Sequence, residues 1–209
     1  MPADLSAMLS LARSAGLPPA ADIARAAAQL DQGNRQREKN QPQAAELHYR
    51  RALAIHPGFA EAYANLGSLL KDRGQSAEAE NLLALAVQLK PELGPACFNL
   101  AMLRIDQSRW DDAVALLQRS LAGNRNHADA HYWLGNALMG LGDAAGARMA
   151  YSAAVNLDNR HLQARWGHVM AQVPAIPLND EEQSKAHTAF ARALVKIKIC
   201  IRATRQTNP

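Results

Sequence analysis

The fold of this chain is decided by one stretch of sequence, AEAYANLGSLLKDRGQSAEAENLLALAVQLKPEL, which covers residues 60–93. It contains two apolar stripes at helical spacing, separated by Gly74 and closed by Pro91, which stops a helix. Gly67 and Ala79 are small, so that two antiparallel helices can approach to about 8–10 Å between their axes. Leucines on both stripes fill the space between the helices. The stretch therefore predicts a helix–turn–helix unit.

The same pattern recurs at a period of 34 residues on both sides of this unit. The small residue of the second helix recurs as Ala45, Ala79, Ala113 and Ala147. Four units agree without an insertion, over about 26–59, 60–93, 94–127 and 128–161. The leading unit is poorer in apolar residues, with Gln29, Gln32 and Gln36 in its first half. We expect its first helix to run from Ala20 to about Gln32 and to act as a polar cap of the array.

The period and the spacing of Tyr63, Gly67 and Pro91 resemble those of a tetratricopeptide repeat (TPR). The resemblance implies an all-α protein, a TPR right-handed superhelical solenoid of antiparallel helix pairs that forms one cooperative body. We assign the TPR array to residues 20–161. An N-terminal helix and a break at two prolines precede it, over 1–19.

A third part, residues 162–209, follows the array as a partial repeat helix, a Pro-containing linker and a basic C-terminal helix. The partial helix is expected from Leu162 to Ala171, where two prolines then interrupt the register. In the last part, apolar residues at helical spacing favour a helix to about residue 197. The alternation of apolar and polar residues from Val195 to Ile201 also fits a strand.

The net charge of +4 is unevenly distributed along the chain. All 19 acidic residues lie at or before Glu182, whereas six of the 23 basic residues follow it. The array is therefore not a basic platform for nucleic acid, and only the basic tail is left as a surface for nucleic acid or anionic lipid. Nucleic acid is the minor alternative among the partners that we consider.

Several compartments and chemistries are disfavoured by the sequence. There is no secretory signal in the first residues and no apolar run of about 18–20 residues that would span a membrane. The two cysteines, Cys97 and Cys200, provide no disulfide framework, and we expect a cytoplasmic protein. His127 and His131 lack a metal-site signature, so we predict no metal, no cofactor and no enzymatic activity of the chain by itself.

In a TPR superhelix the first helix of each repeat lines a concave groove, mostly through repeat positions 2, 5, 6, 9, 12 and 13. Amides, aromatic rings and methionines occur together at these positions in this chain. An amide both donates and accepts, so it can pair with any peptide backbone, and methionine adapts to varied side chains. We therefore predict a protein–protein interaction module that binds an extended peptide. The candidate partner-binding residues are Asn65, Ser68, Lys71, Asp72, Phe98, Asn99, Met102, Tyr132 and Asn136. Packing between neighbouring helices is the alternative role for Phe98, Tyr132 and Trp133.

The segments AYANLGSLLKDRG and ACFNLAMLRIDQSRWDDAV resemble the TPR half of the protein O-linked N-acetylglucosamine transferases, including their bacterial Spindly-type relatives. In that family, asparagines at repeat position 6 form a ladder that holds the backbone of the acceptor protein. Asn65 and Asn99 stand at that position, whereas Asp31 and Trp133 occupy it in the flanking units. The segment MAQVPAIPLNDEEQSKAHTAFARALVKI resembles the stretch that follows the repeats in the Spindly-type enzymes.

The chain departs from that family because nothing in it supplies the two-lobed nucleotide-sugar domain that carries catalysis. The resemblance therefore implies, as an alternative function, a truncated or separated substrate-recognition region of a protein O-glycosyltransferase. A third binding mode, the carboxylate clamp of TPR co-chaperones, is disfavoured. Its groove positions carry Ala64, Phe98, Asp129 and Trp133 in place of the basic residues that a clamp requires.

Overall fold

The computed structural model describes residue 10 and residues 18–171, and all regular structure within 18–171 is helical. These residues form α1 (Ala20–Glu38), α2 (Pro42–Ile55), α3 (Ala60–Asp72), α4 (Ser76–Leu89), α5 (Gly94–Asp106), α6 (Trp110–Gly123), α7 (Ala128–Gly140), α8 (Ala144–Leu157) and α9 (Leu162–Met170). Short turns join the helices into antiparallel pairs, and each second helix also packs against the first helix of the next pair. The prediction of an all-α solenoid of helix pairs is confirmed.

The first helix is longer than the sequence suggested. It was expected to end near Gln32, but α1 continues to Glu38, the place where the other first helices end in their own repeats. Glutamine and arginine are good helix formers, so the polar second half of α1 does not oppose the helix. The expected helix before residue 17 and the expected linker and basic helix after residue 171 lie outside the described residues.

A left-handed residue ends the turn after each first helix, again with the 34-residue period. Its φ is +56° at Asn40, +77° at Gly74, +57° at Ser108 and +79° at Gly142. The following amide donates back to a carbonyl in the last turn of the helix, as Gln75 does to Leu70 at 2.9 Å. This is the Schellman ending of a helix, in which glycine is the favoured residue. Ser108 is therefore the unfavourable residue of this series, since its β-carbon crowds the backbone there.

Ser108→Gly is expected to raise the free energy of unfolding by about 1 kcal/mol, because it removes the strain of a β-carbon at positive φ. The reverse change, Gly74→Ala, should lower the free energy of unfolding by about 1–2 kcal/mol. No atom lies within 4 Å of a β-carbon built at Gly74, so this change tests the backbone alone. Denaturant unfolding of both variants measures the effects. The two substitutions must change the free energy of unfolding in opposite directions. A loss of stability in Ser108→Gly would contradict the explanation by backbone strain.

The core of each pair is built around a close approach between repeat positions 8 and 24. Gly67 faces Leu83, and the corresponding pair in the next repeat is Ala101 and Leu117. In the outer repeats a glycine faces a tyrosine instead, Gly33 with Tyr49 and Gly135 with Tyr151. Both tyrosine hydroxyls donate to the asparagine that follows the glycine, at 2.9 Å to Asn34 and 2.7 Å to Asn136.

Candidate protein-interaction groove

Side-chain contacts between successive first helices define one face of the solenoid. Asn65 Nδ2 donates to Asn34 Oδ1 at 2.8 Å, which joins α3 to α1, and Lys71 Nζ donates to Asn99 Oδ1 at 2.8 Å, which joins α3 to α5. We call this face, formed by positions 2, 5, 6, 9, 12 and 13 of α1, α3, α5 and α7, the groove. The second helices pack behind it, so that it is the inner face of the array.

The amino-terminal half of the groove is a network of polar side chains that bond to one another. Arg37 reaches from α1 to α3, where its guanidinium donates to Ser68 Oγ at 3.1 Å and to Asp72 Oδ2 at 2.9 Å. Ser68 is only 7% exposed. Ser68 therefore serves mainly as a contact between α1 and α3. Asp72 is exposed, with its second carboxylate oxygen available to a partner.

The two asparagines of the predicted ladder take part in this network and keep part of their hydrogen-bonding capacity. Asn99 accepts from Lys71 and donates to the backbone carbonyl of Pro95 at 3.0 Å. Asn65 uses one N–H toward Asn34, and both side chains are half-buried. A carboxamide has two donors and two lone pairs, so each side chain has a donor and an acceptor left for a peptide backbone.

The carboxy-terminal half of the groove is apolar and aromatic. Phe98, Met102 and Ile105 follow one stripe of α5 at helical spacing, and all three are half-buried. Tyr132 and Trp133 of α7 lie edge to face, with ring centroids 5.1 Å apart. No side-chain hydrogen bond joins α5 to α7 within residues 18–171. Apolar contacts thus replace the polar links of the other half.

Some aromatic residues of this half pack against neighbours while keeping an exposed side. The ring of Phe98 lies 4.9 Å from that of His127, and the ring of Tyr132 lies 4.9 Å from that of His161. Phe98 and Trp133 also pack on the main core, so packing and partner contact coexist at these positions. Asn136 accepts the hydroxyl of Tyr151 and belongs mainly to the fourth repeat's own core.

Carboxylates outnumber cations along the groove. Within the four repeats the groove positions carry six carboxylates, Asp31, Glu38, Glu61, Asp72, Asp106 and Asp129, against two cations, Arg37 and Lys71. Burial is the largest single influence on the pKa of the Glu61 carboxyl and would raise it. The hydrogen bond from Lys90 Nζ at 2.8 Å, a backbone hydrogen bond and the charge of Lys90 together outweigh burial and lower the pKa below its usual value. Glu61 therefore stays ionised at neutral pH.

Two participants in the polar half, Asn34 and Arg37, were not identified from the sequence as site residues. They were missed because the first helix was expected to end near Gln32, ahead of both residues. The 34-residue repeat could have identified both as groove residues, because Asn34 and Arg37 stand at positions 9 and 12, as Ser68 and Lys71 do in the next unit.

Neither a metal site nor a membrane-spanning helix is present in the described part of the chain. Across residues 18–171, no cluster of three or more His, Cys, Asp or Glu side chains has the geometry to hold a metal ion. In the same range, no helix has the length and apolar character needed to span a membrane.

Helix pairs that repeat every 34 residues are typical of one class of repeat protein. Two family models described as tetratricopeptide repeat match the chain, one over residues 48–81 and one over residues 98–161. The chain carries tetratricopeptide repeats, and its helix pairs form a TPR solenoid.

Solved structures of other proteins have a similar fold. The structure is similar to that of MamA, with a TM-score of 0.61 and 25% identity over 70% of this chain and 80% of that chain. It is also similar to YrrB, described as a TPR protein with an unusual peptide-binding site, with a TM-score of 0.62 and 22% identity over 68% of this chain and 74% of that one.

A curated relative is the protein O-mannosyl-transferase Tmtc3 of Drosophila melanogaster, which is 31% identical over 104 residues. That match covers 49% of this chain and 11% of the fly protein, so that the chain spans about a ninth of its length.

Proposed function

We propose that this protein is an interaction module that binds an extended segment of another protein in the groove. The observation that carries the proposal is the row of half-exposed groove side chains, Phe98, Met102, Tyr132 and Trp133, beside amides that have donors and acceptors to spare. A repeat solenoid offers an elongated surface, which suits a partner that binds along its length. The peptide-binding site named for YrrB supports the same use of the fold.

The two halves of the groove have different tasks in this proposal. Asn65 and Asn99 hold the backbone of the bound segment, while Lys71 and Asp72 contact its polar groups. Phe98, Met102 and Tyr132 receive its apolar side chains. Ser68 and Asn136 act through their neighbours, by holding Arg37 and Tyr151 in place. The proposal includes no catalytic step, and it places the chain in the cytoplasm, where the buried thiol of Cys97 stays reduced.

A photo-crosslinking residue in place of Met102 tests the proposal directly. We expect it to capture a single defined segment of a partner, identified by mass spectrometry of the crosslinked peptide. A crosslinker at Leu47, which is 50% exposed on α2, serves as the control because it lies on a second helix. The same segment captured equally from both positions, or no segment captured from position 102, would contradict groove binding.

The double variant Asn65→Ala with Asn99→Ala is expected to bind the captured segment at least about tenfold more weakly, which corresponds to about 1.4 kcal/mol. Asn65→Ala removes one hydrogen bond and Asn99→Ala removes two, all of them exposed or half-buried, so stability should fall by only about 1–2 kcal/mol per site. Arg50→Ala is the matched control, because it removes a contact to Glu46 within α2 and a contact to Glu78 that joins α2 to α4, both outside the groove. Equal affinity of the two variants would exclude the amides from the site.

The second candidate function is recognition of substrates for a protein O-glycosyltransferase. It is supported by the match to Tmtc3, whose name states O-mannosyl transfer, and by the sequence resemblance to O-linked N-acetylglucosamine transferases. This function requires that segments captured at position 102 come from proteins that carry O-linked sugars close to the captured region. Glycan analysis of the captured proteins decides the question, and an absence of such sugars would leave only the general interaction function.

A further inference from the structure

We propose that the segment received by this groove is basic and apolar, with lysine or arginine next to large apolar side chains. This inference rests on the proposed function and specifies the chemistry of the partner. It is carried by two observations, the apolar surface on α5 and α7 and the carboxylates beside it that lack a cationic partner.

The apolar surface has members in two successive repeats, on α5 and α7. We call it the apolar strip; its members are Phe98, Met102, Ile105, Tyr132, Trp133 and Met139. Met139 is 40% exposed, although methionine is among the residue types that are most often buried. In the amino-terminal half, by contrast, the equivalent positions are polar apart from Leu30 and Ala64, and several of the polar side chains bond to one another. Binding energy from apolar burial is therefore available mainly on the strip.

Two exposed carboxylates lie beside the strip. Asp106 ends α5, and no ion pair involves it in the described part of the chain. Asp129, whose side chain is 65% exposed, contacts His161 Nε2 at 3.2 Å. The other ring nitrogen of His161 accepts from the amide of Ala164 at 3.1 Å. Neither carboxylate pairs with a lysine or arginine side chain within residues 18–171.

The two groove cations belong to α1 and α3, not to the helices that carry the strip. Arg37 pairs with Asp72, and Lys71, which keeps its charge, donates to the neutral amide of Asn99. An acidic partner would meet Asp106 and Asp129 at the strip and be repelled. A basic partner gains there from charge complementarity, which favours the encounter and fixes orientation. Burying its apolar side chains on the strip supplies the larger part of the affinity.

Three labelled peptides of equal length test the inference by fluorescence anisotropy with the full chain. One alternates leucine or phenylalanine with lysine, the second replaces each lysine by glutamate, and the third replaces each apolar residue by serine. We expect the basic, apolar peptide to bind at least about tenfold more tightly than either of the others, which is about 1.4 kcal/mol. Equal binding of the glutamate peptide, or of the serine peptide, would overturn the inference.

A pair of protein variants separates the groove from general attraction to an acidic surface. Asp106→Asn with Asp129→Asn should weaken binding of the basic, apolar peptide about fivefold, as expected for two exposed charge contacts. Glu92→Gln with Asp111→Asn changes the net charge equally at exposed sites outside the groove positions and should leave the affinity unchanged. Equal effects of both pairs would overturn the assignment to the strip.

The inference and the proposed function fail in different ways. A neutral or acidic segment captured at position 102 overturns the basic, apolar assignment and leaves groove binding intact. If position 102 captures nothing and none of the peptides binds, both are overturned. If the basic, apolar peptide binds and loses affinity in the Asp106/Asp129 variant but not in the control, both are supported.

Discussion

Gly135→Ala is expected to lower the free energy of unfolding by about 3 kcal/mol, the upper end of the cost of overpacking a core. A β-carbon at this residue would lie 2.5 Å from Cε1 and 2.6 Å from Cδ1 of the Tyr151 ring. The ring is 4% exposed, and its hydroxyl is held by Asn136, so it has little freedom to retreat. On the far side it is close to Gly167, where a β-carbon would also lie 2.7 Å from Cε1. Thermal and denaturant unfolding followed by circular dichroism measure the loss.

A second-site change in the same repeat tests the cause of this loss. Adding Tyr151→Leu to Gly135→Ala recreates the arrangement of Ala101 and Leu117, which the third repeat already uses. The double variant should therefore be more stable than Gly135→Ala alone. Gly123→Ala is the control for a glycine in a roomy place, since the nearest atom to its β-carbon is 3.7 Å away. An additive loss in the double variant would show that contact with the ring is not the cause.

Leu66→Ala should lower the free energy of unfolding by about 2–5 kcal/mol, through lost apolar transfer energy and the cavity left behind. Leu66 is 1% exposed in the middle of the array, where neighbouring helices on both sides limit collapse of the cavity. Leu100 holds the same repeat position and should give a similar loss. Leu134 holds it in the fourth repeat but is only half-buried, so its truncation should cost clearly less.

Leu47→Ala provides the surface control for this series, with an expected change below about 1 kcal/mol, because half of that side chain is already in water. Denaturant midpoints of the four variants give the order. If Leu134→Ala costs as much as Leu66→Ala, burial at this repeat position does not govern stability. The wild-type slope with denaturant must also be preserved for the comparison to hold.

The division of the groove into a polar and an apolar half has a consequence for recognition. Polar side chains that already bond to one another fix the spacing between α1, α3 and α5 and leave few groups for a partner. The exposed surface of the apolar side chains on α5 and α7 forms no comparable links between these helices within residues 18–171. Under the proposed function, we expect specificity to depend most on residues of the third and fourth repeats, and the amides of Asn65 and Asn99 to contribute backbone contacts.

Periodicity alone determined the architecture of this protein. A unit in which small residues, leucines and a terminal proline recur every 34 positions has few ways to bury its apolar stripes other than by stacking helix pairs. The turns after α3 and α7 were also readable, because Gly74 and Gly142 mark a left-handed residue at a helix end. After α1 the same place is taken by Asn40, which marks a helix end less clearly than glycine does.

Only the tertiary structure decided which groove side chains already form hydrogen bonds with other residues of the protein. The sequence placed Asn65, Ser68 and Lys71 on one face, since helical spacing fixes the direction of each side chain. It could not show that Arg37 bonds to Ser68 or that Asn34 accepts from both Tyr49 and Asn65. The Arg37–Ser68 and Asn34–Asn65 pairings join residues about one repeat apart, and they depend on the distance and rotation between neighbouring helices. Those quantities are set by packing at the glycine, alanine, leucine and tyrosine contacts of the core, because side-chain volume fixes how closely two helices approach.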